Sequence, residues 1–231
     1  MTNVTFKVLS ALLSYPTREL QEAGPEMIAL LNADRLLSAR RRAEVIALIT
    51  HVAGGDLLDR QADYVDLFDR TRALSLHLFE HVHGESRDRG QAMVSLLERY
   101  RQAGLDVSAN ELPDYLPLFL EFLAQQRPAE ACQMLADTAH ILSALAERLK
   151  KRGSGYAVLF QALCDVAATR PDPDAVAELN NVPLDDPSDL AAVDRAWEEA
   201  EVRFGPGDAN TDGCPRADAI LRNMTGKGAE A

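Results

Sequence analysis

The chain has 231 residues, a formal net charge of -12 and 3 cysteines. That length suits one domain able to bury about 70% of its unfolded surface, so folding needs neither disulfide nor metal. An odd cysteine count argues against a secreted, disulfide-framed protein, and no run approaches the ~18 apolar residues that span a bilayer. The run Val4–Leu13 has neither a basic leader nor a small-x-small cleavage site and reads as a helix rather than a signal peptide, so the cytoplasm is the expected location. Charge is uneven: residues 171–231 hold 14 acids against 5 bases, while the body is nearly balanced. This is the opposite of the basic footprint of a nucleic-acid binder, and an acidic surface suits a basic protein partner.

Phe6, Leu9, Leu12 and Leu13 recur at helical spacing until Tyr15-Pro16 stops the element. Thr17 can cap a second helix, which Gly24-Pro25 interrupts. A long helix is expected from about Asp34 to His51, with Arg40, Arg41 and Arg42 forming a solvated face or, alternatively, a docking patch. Gly54-Gly55 ends it and Asp56 can cap the next, from Leu57 to Phe68. Along that helix Asp56, Asp59, Asp63 and Asp66 make one acidic stripe. Like charges at such spacings repel, so the stripe is either a solvated face or a surface that meets positive charge.

Arg72 to Val82 is apolar enough for a core helix that Gly84 ends. Asp88 to Tyr100 follows, closed by Gly104. Leu112–Pro117 opens a helix running to about Ala124, its prolines tolerated in a first turn. Ala129–Ala136, Thr138–Arg152 and Tyr156–Ala168 are three further helices. Pro171, Pro173, Pro183 and Pro187 mark a loop, and Leu190–Phe204 can form a last helix around Trp197. With no alternating strand, the expected fold is all-α: a compact bundle of about nine helices over residues 1–205. Residues 206–231, rich in Gly, Pro, Asn and Asp, are expected to form a disordered acidic tail. Cys132 and Cys164 are expected as buried thiols and Cys214 as exposed.

His77-Leu78-Phe79-Glu80-His81 matches H-x-x-E-H, an inverted zinc-peptidase motif. On a helix the two histidines would share a face, with Glu80 as a base, so a zinc-dependent hydrolase is one reading. The motif is short and no particular third ligand stands out. There is no phosphate loop, dinucleotide fingerprint, C-x-x-C or nucleophile elbow, so no catalytic, cofactor or metal residue is assigned. The densest polar stretch, Phe79–Gly90, is either a salt-bridged turn or a recognition loop.

Three stretches carry a resemblance. Asp63-Tyr64-Val65-Asp66-Leu67-Phe68-Asp69-Arg70 continues into Leu76–Met93, and Glu111–Leu123 contains Leu-Pro-Asp-Tyr-Leu-Pro. With Leu13-Ser14-Tyr15-Pro16 and Tyr156–Phe160, they resemble the NarJ subfamily of respiratory nitrate reductase assembly chaperones, within the wider TorD and DmsD group. The resemblance covers roughly residues 5–205. Tyr115 stands where a histidine is also acceptable in that family.

The resemblance implies a wholly helical protein without cofactor or catalysis. Such a protein binds the N-terminal segment of the nitrate reductase catalytic subunit and keeps it open for insertion of the molybdenum cofactor and an iron–sulfur cluster before membrane docking. Molybdenum cofactor biosynthesis proteins are further expected contacts. A helical adaptor without a maturation role is the alternative, and weak nucleotide binding stays open. Aromatic groups beside acids place the expected peptide site at Asp63, Tyr64, Asp66, Phe68, Pro113, Asp114, Tyr115, Glu121 and Phe122. His81, His83, Glu85, Arg87 and Arg89 form its rim. Tyr64 is expected as a partly wet anchor, and Asp63, Asp66 and Asp114 as partners of basic target residues.

Overall fold

The computed structural model describes residues 3–70, 72–83, 87–107, 111–167 and 169–181. Among them are twelve α-helices and no strand. The expected C-terminal helix around Trp197, Cys214 and the acidic tail lie outside the described residues.

Helix α1 (Val4–Leu13) buries Phe6, Leu9, Leu12 and Leu13 against α8 (Leu116–Gln125) and α3 (Gly24–Ala33). The short α2 (Arg18–Glu22) is capped by Thr17, whose hydroxyl accepts the Leu20 N–H. Gly24 crosses α4 (Ala39–Gly54) so closely that a Cβ there would stand 2.8 Å from that of Ala53. Helix α4 begins five residues later than expected, because the Asp34 side chain is spent on the Thr5 and Leu36 N–H groups and Ser38 supplies the cap. Arg40 is exposed, as a solvated face expects, while Arg41 and Arg42 are half-buried and engaged. Arg40 and Arg41 pair with Glu44, Arg41 also reaches Asp165 of α11 (Ala157–Ala167), and Arg42 donates to the Asp34 carbonyl.

Asp56 caps α5 (Leu57–Tyr64), which runs into a π-helical turn at Val65–Asp69. The Arg70 N–H reaches back five residues to the Val65 carbonyl. Such insertions shift every following side chain around the helix axis. Here the turn buries Phe68 and leaves Asp69 exposed.

The expected core helix over Arg72–Val82 is not formed. A 3-10 turn at Arg72–Leu74 gives way to an extended segment, and α6 begins only at Glu80 and ends at His83. The extended segment is buried, so its backbone must find partners. It finds them in the loop before α8: Leu78 N–H donates to the Asp114 carbonyl, Leu116 N–H to the Leu76 carbonyl, and His77 and Tyr115 form an isolated antiparallel bridge. That same loop, Leu112–Tyr115, lies outside the helix it was expected to open. Pro117 alone occupies a first helical turn there.

Helix α7 (Arg87–Gln102) ends at Gly104, whose φ of 79° needs a residue without a Cβ. Helices α9 (Pro128–Asp137) and α10 (Ala139–Lys151) follow, and α10 packs on α11. The proline-rich stretch expected as loop contains α12 (Pro173–Asn180), since Asp172 caps it and Pro173 sits in its first turn. Arg148 of α10, 2% exposed, holds α12 in place by donating to the Leu179 carbonyl, and also donates to the Ala73 carbonyl. Cys132 and Cys164 are only partly buried, and burial pushes the Cys164 thiol up to about 12, so it stays protonated.

Candidate functional site

The α5–π segment carries different chemistry on its two sides. On one side a cleft of about 630 Å³ opens between α4, α5 and the α10–α11 turn. Leu48, Val52, Leu67, Tyr156 and Val158 contribute apolar groups, and Glu44, Asp63 and Asp66 contribute carboxylates. Asp63 and Asp66 are about half exposed and paired with Arg60 and Arg70, at 3.3 and 3.1 Å. Arg60 also meets His51. The far wall is Gly153-Ser154-Gly155, where Gly153 takes a φ of 67° and turns the chain back into α11. Asp56 and Asp59, the other members of the acidic stripe, are not among its lining. Asp56 is spent as the α5 cap.

On the other side a pocket of about 310 Å³ is lined by Tyr15, Tyr64, Phe68, Asp69, Ser75, Leu76, His77 and Tyr115. Tyr64 is 3% exposed. Its hydroxyl donates to the Leu13 carbonyl at 2.8 Å and lies 3.2 Å from the Tyr115 hydroxyl. With the Tyr64 proton committed, Tyr115 is the donor between them. Burial raises both phenol pKa values, so both keep their protons. Tyr15 meets the Tyr64 ring edge-on at 5.6 Å, Phe68 lies 5.0 Å from it, and His77 lies against Tyr115 at 5.4 Å.

Behind this pocket is a polar knot. Asp114 is fully buried. Its carboxylate faces His77 Nδ1 at 3.1 Å, accepts the Phe79 N–H at 3.2 Å, and lies 3.7 Å from Arg89. Arg89 also pairs with Glu80. His81 Nε2 sits 2.9 Å from the Ser75 carbonyl.

The structure therefore redistributes the expected site residues. Asp63 and Asp66 face the cleft. Tyr64, Phe68 and Tyr115 face the pocket, with Tyr64 an internal support rather than a partly wet anchor. Asp114 is not available to a partner, because its lone pairs are already used inside the fold. Pro113 is buried with its carbonyl accepting the Tyr100 hydroxyl, and Phe122 is buried against Tyr100. Glu121 is exposed on α8 and lines neither opening. His81 and Arg89 belong to the knot. Glu85 and the side chains of His83 and Arg87 lie outside the described residues. The arrangement also separates His77 from His81. His77 is in the bridge to Tyr115 and only His81 is helical, so the shared helical face a zinc hydrolase would need is missing. Among the described residues no group of three or more His, Cys, Asp or Glu is placed to hold a metal ion.

Sequence reasoning missed Tyr15, Asp69 and His77 as pocket residues, and Glu44, His51 and Tyr156 as cleft residues. Tyr15, Asp69, His77 and Tyr156 did lie in stretches that carried the resemblance.

The model of the nitrate reductase delta subunit family matches residues 34–162, more than half of the chain. The chain belongs to this family of NarJ-type chaperones. It is 47% identical to the nitrate reductase molybdenum cofactor assembly chaperone NarJ of Escherichia coli K12 over 198 residues, covering 85% of this chain and 83% of that one. It is 42% identical to the probable chaperone NarW of the same strain, covering 86% and 82%. With the probable NarJ of Bacillus subtilis it shares 32% identity over 69% of this chain and 86% of the relative. These relatives are named for assembly rather than catalysis. No helix among the described residues is long and apolar enough to cross a membrane.

Proposed function

We propose that this chain is a cytoplasmic assembly chaperone for a respiratory nitrate reductase, gripping the N-terminal segment of the catalytic subunit. The grip keeps the apo-subunit open while molybdenum cofactor and iron–sulfur cluster are inserted, and it is released before the enzyme docks on its membrane anchor. Molybdenum cofactor biosynthesis proteins are the source of the cargo and transient neighbours of the complex. The chaperone itself is not part of the finished enzyme.

The observation that carries this reading is the composition of the cleft. An amphipathic basic helix needs an apolar floor and an acidic rim, and the cleft offers both: Leu48, Val52, Leu67 and Tyr156 below, Glu44, Asp63 and Asp66 above. The apolar floor supplies affinity, and the carboxylates set register and speed encounter. Because Asp63 and Asp66 already hold arginines, a basic peptide exchanges one partner for another, and neither carboxylate is left unpaired.

Calorimetric titration with the synthetic N-terminal peptide of the cognate catalytic subunit tests the grip. Binding by the wild type, weakened by Leu67→Asp in the cleft floor with the fold intact by circular dichroism, supports it. No binding by the wild type overturns it.

A further inference from the structure

The smaller pocket has a composition that the cleft does not share. Its lining is built mainly from rings, contains one carboxylate, Asp69, and has no lysine or arginine. Tyr15, 46% exposed, and the exposed Asp69 stand where it meets solvent. Unlike Asp63 and Asp66, Asp69 has no ion pair among the described residues. Burial raises its carboxyl pKa, with His77 opposing. Burial is the largest influence and raises the Tyr115 phenol; the Tyr64 hydrogen bond opposes it, and the Asp69 and Glu111 carboxylates add smaller upward contributions. The pocket therefore has aromatic walls and one exposed carboxylate at its mouth.

We propose that this pocket takes the guanidinium of one arginine side chain of the client polypeptide. The guanidinium plane lies along the tyrosine rings and its N–H groups point to Asp69. An anion would meet the Asp69 carboxylate. A purely apolar group would desolvate that carboxylate and the His77 ring without giving either a partner. An ammonium would have to shed a tighter hydration shell, whereas a guanidinium is planar, weakly hydrated and able to stack while it donates to a carboxylate. The Tyr64–Tyr115 hydroxyl pair fixes the wall in advance, so little side-chain entropy is lost on binding.

The lining comes from four separate stretches: Tyr15, Tyr64–Asp69, Ser75–His77 and Tyr115. The π-helical turn is what brings Phe68 and Asp69 to it together. This inference rests on the reading of the chain as a binder of a basic client segment. It assigns the reading of one residue to the pocket and the holding of the helix to the cleft.

The test has one arm that does not depend on the client. Amide chemical shifts of the full-length chain are followed during titration with N-acetyl-arginine methylamide and, separately, with the citrulline analogue, which keeps the shape and loses the charge. The pocket reading expects saturable shifts around Asp69 and Tyr115 with arginine, about threefold to tenfold weaker with citrulline, and a similar loss in Asp69→Asn. Equal binding of the two compounds, or no binding of either, overturns it.

The second arm uses the client peptide with each arginine replaced in turn by citrulline. At one position the replacement should weaken binding to the wild type, and Asp69→Asn should then cost nothing further. Additive losses at every position overturn the assignment. If the arginine compound binds and the client peptide does not, the pocket stands and the client reading fails.

Discussion

Asp114 offers the sharpest test of how the site is built. Its carboxylate is fully buried and serves the Phe79 N–H at 3.2 Å, His77 Nδ1 at 3.1 Å and Arg89 at 3.7 Å. Asp114→Ala strands a buried N–H, which costs about 1–3 kcal/mol. It also removes one of the two carboxylates beside the mostly buried Arg89, which keeps its 3.1 Å pair with Glu80, and this brings the total to about 2–4 kcal/mol. For a chain of this size each kcal/mol moves the melting temperature by about 2–4 °C, so Asp114→Ala should melt about 4–16 °C below wild type. Asp114→Asn keeps an acceptor for the Phe79 N–H but loses the charge facing Arg89, and should fall roughly halfway. Urea titration and thermal melts monitored by circular dichroism measure both. An Asp114→Asn variant as stable as wild type but unable to bind the client peptide would refute this reasoning and return Asp114 to the contact surface.

Tyr64→Phe removes the donor to the buried Leu13 carbonyl and should cost about 1–2 kcal/mol in urea unfolding, whether or not a client is present. Arg148→Met leaves the Ala73 and Leu179 carbonyls without their donor, so α12 should lose hydrogen-exchange protection before the rest of the bundle. Asp66→Asn, on an exposed carboxylate, should leave the melting temperature within about 2 °C while weakening client binding at low salt. Burial is the largest influence on His81 and pushes its pKa below the ordinary histidine value, outweighing the Ser75 hydrogen bond. The unfolded chain therefore binds this proton first as pH falls. Stability should be unaffected above about pH 6.5 and decline below it, until the folded-state pKa is reached. His81→Gln should flatten that part of the melting-temperature profile.

The all-α class and most helix positions were legible because the apolar residues of α1, α7, α8, α10 and α11 recur at helical spacing, and Thr17, Asp56, Gly54-Gly55 and Gly104 punctuate the chain with local chemistry. The segment after Arg72 was not, and the reason is physical. Leu74, Leu76 and Leu78 alternate with a period of two, but the run is too short and too apolar throughout to separate from a buried helix without its partner. The partner, Leu112–Leu116, lies some 35 residues away.

Once that pairing is missed, His77 and His81 fall on an imaginary helical face and Asp114 looks free. The acidic stripe shows the other kind of limit. Helical spacing does put Asp63 and Asp66 on one surface. The π-helical turn that sends Phe68 and Asp69 toward the opposite pocket leaves no mark in the residue pattern. The stretches that carry the resemblance, Leu13–Pro16, Asp63–Arg70 and Leu112–Pro117, contribute residues to the cleft, the pocket and the buried knot.

The central claim is that the chain prepares a nitrate reductase for its molybdenum cofactor. The most direct measurement is the molybdenum content of the catalytic subunit, purified from cells that lack their own NarJ-type chaperones and either express this chain or do not. The account predicts near-stoichiometric molybdenum with the chain and a largely empty subunit without it, with Leu67→Asp giving an intermediate or empty subunit. Equal molybdenum loading in the presence and absence of the chain would contradict it.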